Sequence, residues 1–134
     1  MFDAVSAVQH MPLRKFRQRA VFCQAHARVI RGESFAFETT LAGVTYGRAI
    51  PLWQAAGYHV KLIFLTLPSL EMAIMRVAAR VAQGGHDVPE HVIRRRFDAG
   101  LRNFHQRYKS LADGWILYDN SRDEPVILDA GGRP

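Results

Sequence analysis

The sequence predicts an α/β domain built on a mostly parallel central sheet. Three observations lead there. Segments with strand character alternate with segments of helical period in the order strand, helix, strand, helix, helix, strand. The run Leu62-Ile63-Phe64-Leu65-Thr66-Leu67 is nearly continuous in apolar residues, as in a strand buried on both faces of a parallel sheet. The helical segments close at glycines: Gly32, Gly57 and Gly84-Gly85. At 134 residues, 49% hydrophobic and 22% charged, the chain has the composition of one soluble domain with a core.

Each element has a local reason. Met1 to Met11 is weakly patterned, and the spacing predicts a first helix from Pro12, a good first helical residue, to Arg31 before Gly32. An open α/β nucleotide fold begins instead with a strand and a glycine-rich turn, so the expectation is that the first strand is missing. Ser34-Phe35-Ala36-Phe37-Glu38 is short, aromatic and alternating, hence a strand. Residues 44 to 56 read as a helix that Pro51 either kinks or begins. Tyr58 to Leu67 is the apolar strand, and Ser69 can cap a helix to about Gln83 carrying Leu70, Ala73, Ile74, Val77, Ala78 and Val81 on one stripe. Pro89 opens a longer helix to about Ala112, with Phe97, Leu101, Phe104 and Tyr108 as its core-facing stripe. Trp115 to Tyr118 is a strand, Pro125 to Leu128 a last edge strand, and Ala130 to Pro134 a frayed tail.

Charge narrows the partners. Eighteen Lys+Arg against twelve Asp+Glu give +6, and most of the cations are arginine, whose planar fork matches phosphate or carboxylate bidentately. The excess falls in two blocks, residues 1 to 32 and 76 to 109. The single Cys23 excludes an intramolecular disulfide and a cysteine-rich zinc site, and a cytoplasmic location is the simplest expectation. No apolar run reaches the ~20 residues of a membrane span, and no signal peptide pattern opens the chain.

Two constellations carry candidate chemistry. Glu38, followed by Thr39, Thr40 and a Gly43 turn, ends its strand where open α/β sheets bind ligands. Its carboxylate could accept a substrate hydroxyl; equally, it could cap the next helix or pair with an arginine. Arg76 and Arg80, spaced i, i+4, share a helix face, and Arg94, Arg95 and Arg96 follow the Gly84-Gly85-His86 loop. Guanidiniums on two helices joined by that loop could converge on a polyphosphate and close over it, with His86 as a further donor. Successive helix residues point ~100° apart, so one or two of the arginine triplet at most can face one ligand. A solvated basic face is the competing reading. Nucleic-acid binding by the same cations ranks behind both, because no groove-reading motif accompanies them.

The blocks Gly32-Glu33-Ser34-Phe35-Ala36-Phe37-Glu38-Thr39-Thr40-Leu41, Ala55-Ala56-Gly57-Tyr58, Arg80 through Gly84-Gly85-His86-Asp87-Val88-Pro89 to Ile93-Arg94-Arg95-Arg96-Phe97, and Tyr118-Asp119-Asn120-Ser121 together resemble the zeta toxin family of P-loop kinases. The resemblance runs over roughly residues 26 to 121. It implies a P-loop NTPase-like three-layer fold and an ATP- and magnesium-dependent kinase, the best known members of which phosphorylate UDP-N-acetylglucosamine, with an antitoxin or a second copy as protein partner. It further implies that Glu38 holds the acceptor, that Arg80 and one or more of Arg94, Arg95 and Arg96 are the lid cations on the transferring phosphates with His86 in the loop between them, and that Asn120 and Ser121 lie on the adenine side; Thr39 and Thr40 beside Glu38, and Arg76 beside Arg80, complete the candidate substrate and lid residues. The sequence departs from the family at its front. No G-x-x-x-x-G-K-[ST] motif is present, and Asp3, the only acid before Glu33, has no matching surroundings for a catalytic aspartate. The expectation is an N-terminally truncated kinase domain, with residues 1–25 divergent and 26–134 a partial domain that has no kinase activity by itself. The alternative is a non-catalytic binding module for a partner protein or nucleic acid.

Overall fold

The structure, a computed structural model, describes the backbone of residues 2–8 and 15–134 and the side chains of residues 23–134. Its elements are β1 (Phe2–Val8), α1 (Lys15–Arg31), β2 (Phe35–Glu38), α2 (Thr45–Ala55), β3 (Tyr58–Thr66), α3 (Leu70–Ala82), α4 (Glu90–Asn103), a π-helical turn (Phe104–Tyr108), the short α5 (Lys109–Leu111), β4 (Gly114–Asp119) and β5 (Val126–Gly132). The five strands form one sheet in the order β2-β1-β3-β4-β5. β1 to β4 run parallel and β5 returns antiparallel on β4, so the mostly parallel α/β expectation holds.

The expected missing strand is a correction. Phe2–Val8 is an interior strand between β2 and β3, with Ala4 in register with both Phe35 of β2 and Val60 of β3. Small residues give this segment little pattern of its own, and its conformation is set by a hydrogen-bonding neighbour on each side. The proposed helix start at Pro12 lies outside the described residues; α1 is helical from Lys15 to Arg31.

Burial alternates in depth along β3. Tyr58, Val60, Leu62 and Phe64 are buried, whereas the alternate residues His59, Ile63 and Leu65 are half-buried and Lys61 is exposed. Among the described residues the first set forms the more deeply buried face. On that face Phe35 and Phe37 meet Trp53 of α2 edge-on, and Phe64 stacks on Phe104, their ring centroids 4.7 Å apart. Pro51 sits inside α2 on its exposed side, which tolerates the lost N–H.

The tail is ordered rather than frayed. β5 extends to Gly132, and the Trp115 ring lies across Gly131, where a Cβ would come within 2.7 Å of the indole. At the amino ends of the strands, the Asp113 carboxylate accepts from the Val60 N–H at 2.7 Å and from Gln54 Nε2 at 3.0 Å. Burial acts to raise its pKa, but these two hydrogen bonds, with His59 and Arg133 nearby, outweigh burial and hold it below the ordinary carboxylate value. A depressed carboxylate stabilises the fold above its unfolded pKa of ~3.9 and loses that contribution as pH falls through its folded value. Asp113→Ala is therefore expected to cost about 1–3 kcal/mol at pH 7, and the gap to wild type should close below about pH 4. Thermal melts of both proteins between pH 7 and pH 2.5 measure this; a gap independent of pH would disprove the role.

Candidate functional site

The carboxyl ends of β2 and β3, together with α3 and α4, enclose a cavity of about 70 Å³. Its walls are apolar, with Phe64, Leu67, Val77, Ile93 and Phe97 among them, while Thr40, Thr66, Arg80, His86 and Arg96 also line it. Apolar walls lower the local dielectric, so guanidiniums at such a cavity act on an anion more strongly than they would in bulk water.

Two helices bring the cations there. Ser69 caps α3, its Oγ accepting from the Met72 N–H at 3.2 Å, and Ala73 and Val77 anchor the inner face of that helix. At its other end Gly84 takes a left-handed φ of 87°; Gly84 N–H donates to the Val81 carbonyl and Gly85 N–H to the Arg80 carbonyl at 2.8 Å. This Schellman closure satisfies carbonyls that the helix leaves open and folds the Gly84-Gly85 turn against Arg80. α4 supplies Arg96, half-buried, whose pKa is lowered first by burial and then by the adjacent Arg95 charge. A guanidinium remains charged after such a shift and is then a strong anion donor.

The structure separates the six lid candidates. Arg80, His86 and Arg96 line the cavity. Arg94 instead pairs with Glu90 at 3.2 Å on the exposed face of α4, and Arg95 is exposed. Arg76 lies near Asp119 at the end of β4; the Ser121 side chain and N–H, then the Arg122 and Arg76 charges, hold that carboxylate below its usual range despite an opposing contribution from burial. The i, i+4 spacing puts Arg76 and Arg80 on one helix face, yet Arg80 lines the cavity, whereas Arg76 does not and its charge acts on Asp119. Asn120 N–H donates to the Thr66 carbonyl at 2.9 Å and Ser121 N–H to Asp119 Oδ1 at 2.8 Å, which fixes both residues at the carboxyl end of β4.

On the acceptor side, Glu38 is exposed at the end of β2. Among the described residues it forms no ion pair, and Val44, not Glu38, stands at the cap position of α2. Thr39 is buried and its Oγ1 accepts from the Leu41 N–H at 3.3 Å; Thr40 Oγ1 accepts from the Ala42 N–H at 3.4 Å. Leu41 is the unusual residue: it is 2% exposed and has φ 53°, left-handed backbone that costs a non-glycine residue about 1–2 kcal/mol. Spacing gave no hint of it, nor of Asn103 and Tyr108, which reach this loop from α4 and the π turn.

A family model described as zeta toxin matches residues 6–130. The chain belongs to the zeta toxin family. The match begins well before residue 26, so it takes in part of the β1 segment that sequence blocks alone did not reach. An uncharacterized protein of Haemophilus influenzae is 26% identical over 72 residues, which are 54% of this chain and 51% of that protein. A solved chain from the PezAT chromosomal toxin-antitoxin system of Streptococcus pneumoniae superposes with a TM-score of 0.56 at 15% identity, over 86% of this chain and 47% of that one. That identity shows a common fold alone. The chain spans about half the length of both relatives.

Zeta toxin kinases use ATP and magnesium, and the residues present do not fit that pair where such folds hold it. The connection from β1 to α1 is Gln9-His10-Met11-Pro12-Leu13-Arg14, which has no glycine, no hydroxyl side chain for a metal and, at Pro12, no N–H to cradle phosphate. Among the described residues no cluster of three His, Cys, Asp or Glu side chains could hold a metal ion.

Proposed function

We propose that this zeta toxin chain retains the acceptor and lid sides of a kinase site and binds a sugar nucleotide of the UDP-N-acetylglucosamine type without transferring phosphate to it. The observation that carries the reading is the convergence of Arg80 and Arg96, from two helices, on one cavity lined by Thr40 of the Glu38 loop. The diphosphate of such a ligand would lie on the two guanidiniums, with His86 as a further donor, and a hydroxyl of its sugar would donate to the Glu38 carboxylate. Positioning of this kind suffices for binding. Turnover needs the phosphate cradle as well, and loss of such electrostatic stabilisation costs orders of magnitude in rate.

The expected result is a measurable calorimetric titration with UDP-N-acetylglucosamine and no phosphorylated product above a heat-treated control when ATP and magnesium are added. Product formation would overturn the inactive reading, and a flat titration would overturn the binding reading.

A partner-binding reading has its own support. β5 is an edge strand on which Val126, Ile127 and Leu128 are 47%, 58% and 55% exposed, a pattern that invites pairing with another chain. By analogy with the toxin-antitoxin system of the Streptococcus pneumoniae relative, an antitoxin is the partner class we favour, and a second copy is the alternative. Light scattering of the purified chain separates them: a concentration-dependent dimer supports self-association, and a monomer leaves the antitoxin.

A further inference from the structure

Five features converge on the short loop between β2 and α2. Asn103 Nδ2 donates to the Leu41 carbonyl at 2.7 Å, and the Tyr108 hydroxyl donates to the Gly43 carbonyl at 2.6 Å. Leu41 carries the left-handed φ of 53°. Gly100 of α4 lies so close to the loop that a Cβ there would stand 2.6 Å from the Thr40 carbonyl oxygen. Asn103 immediately precedes the π turn and Tyr108 is its last residue, and Lys109 N–H closes the turn by bonding to the Phe104 carbonyl five residues earlier.

The π turn explains how one helix supplies both donors. In a regular α-helix, residues five apart are separated by about 140° around the axis, at ~100° per residue. Asn103 and Tyr108 would then point to different sides. Hydrogen bonding from i to i+5 widens the turn and brings the later residue back over the earlier one. Both side chains therefore reach carbonyls two residues apart in the loop.

We propose that Asn103 and Tyr108 are positioning residues: through the π turn they hold the Glu38–Gly43 loop in its strained conformation and fix it to the helix that carries Arg96. Acceptor loop and Arg96 then move as one body, and whatever closure the site undergoes is left to α3 and the Gly84–Pro89 segment. The functional meaning rests on the acceptor reading proposed above, but the structural assignment can be tested without it.

The test uses the full chain with Asn103→Leu, Tyr108→Phe and, as a control on the exposed side of the same turn, Gln106→Ala. Tyr108→Phe removes one hydroxyl and keeps the buried ring. Two-dimensional NMR reads the loop directly, because the amide-to-Cα proton coupling and Cα shift of Leu41 report its φ. Resonances of residues 39–43 should move to averaged values in both variants and remain in place in Gln106→Ala, while those of Tyr58–Thr66 stay as in wild type in all three. Superimposable loop spectra, or changes spread evenly over the sheet, would overturn the assignment.

A titration with UDP-N-acetylglucosamine, well below the melting temperature of every variant, reads the functional half. The dissociation constant should rise about tenfold in each of the two loop variants, the loss expected for one ordinary hydrogen bond. An unchanged constant with a moved loop would overturn the link to binding. If wild type does not bind, the acceptor reading falls while the NMR result still decides the role of Asn103 and Tyr108.

Discussion

Phe104→Ala is expected to destabilise the fold more than any other single truncation, by about 3–5 kcal/mol, and so to lower the melting temperature by roughly 10–20 °C. Phe104 is fully buried, stacks on Phe64 of β3 and meets the Trp115 ring of β4 edge-on at 5.7 Å. Its removal leaves a void between two parallel strands and the helix that covers them, and the sheet cannot collapse into that void without breaking the pairing of Phe64 with Leu117. Calorimetry on Phe104→Ala beside Leu52→Ala, whose side chain is 70% exposed, provides the contrast. Leu52→Ala should change stability by less than about 0.5 kcal/mol. A comparable loss in both would mean that the core does not centre on Phe104.

The second large effect concerns the two cavity arginines. Arg80→Ala and Arg96→Ala should each weaken UDP-N-acetylglucosamine binding by roughly 10- to 100-fold, as charged hydrogen bonds contribute about 1.5–3 kcal/mol. Arg94→Ala should leave affinity within about twofold of wild type, since that side chain is spent on an exposed i, i+4 pair with Glu90. Titration calorimetry of the three variants discriminates cleanly. Equal losses at Arg94 and Arg96 would point to diffuse charge attraction and not to a formed site, and the affinity would then fall steeply with added salt in every variant.

What could be read from the sequence were the parts whose causes are local. Ser69 before an apolar stripe and Gly84-Gly85 after it define α3 by cap chemistry that operates within a few residues. The alternation in Phe35–Glu38 and the following Thr39-Thr40 likewise place the loop at a strand end. β1 escaped because Ala4, Ser6 and Ala7 carry little strand signal, and its conformation is imposed by partners 31 and 56 residues along the chain, Phe35 and Val60. The tail escaped for the same reason: Gly131 is held by Trp115 on the neighbouring strand. At the site, periodicity allows one or two of Arg94, Arg95 and Arg96 to face one ligand, and Arg96 is the one that lines the cavity. Periodicity could not separate Arg80, which lines the cavity, from Arg76, whose charge acts on Asp119 more than 40 residues away. The π turn is invisible to periodicity altogether, as the spacing of Phe104 and Tyr108 suits an ordinary helix equally well.

The position of β1 between β2 and β3 governs how the molecule assembles. Every ladder that β1 joins is parallel, and each requires an intervening crossover before its partner strand exists. The strand that leads the described chain must therefore wait, unpaired, until β2 and then β3 have been made. Such long-range closure slows folding and leaves the β3-facing edge of β1 open to other chains in the interval. Nascent molecules should consequently be most prone to misassociate before residue 66 has been synthesised, and chaperone dependence should track the elongation of β3 and not that of the helices.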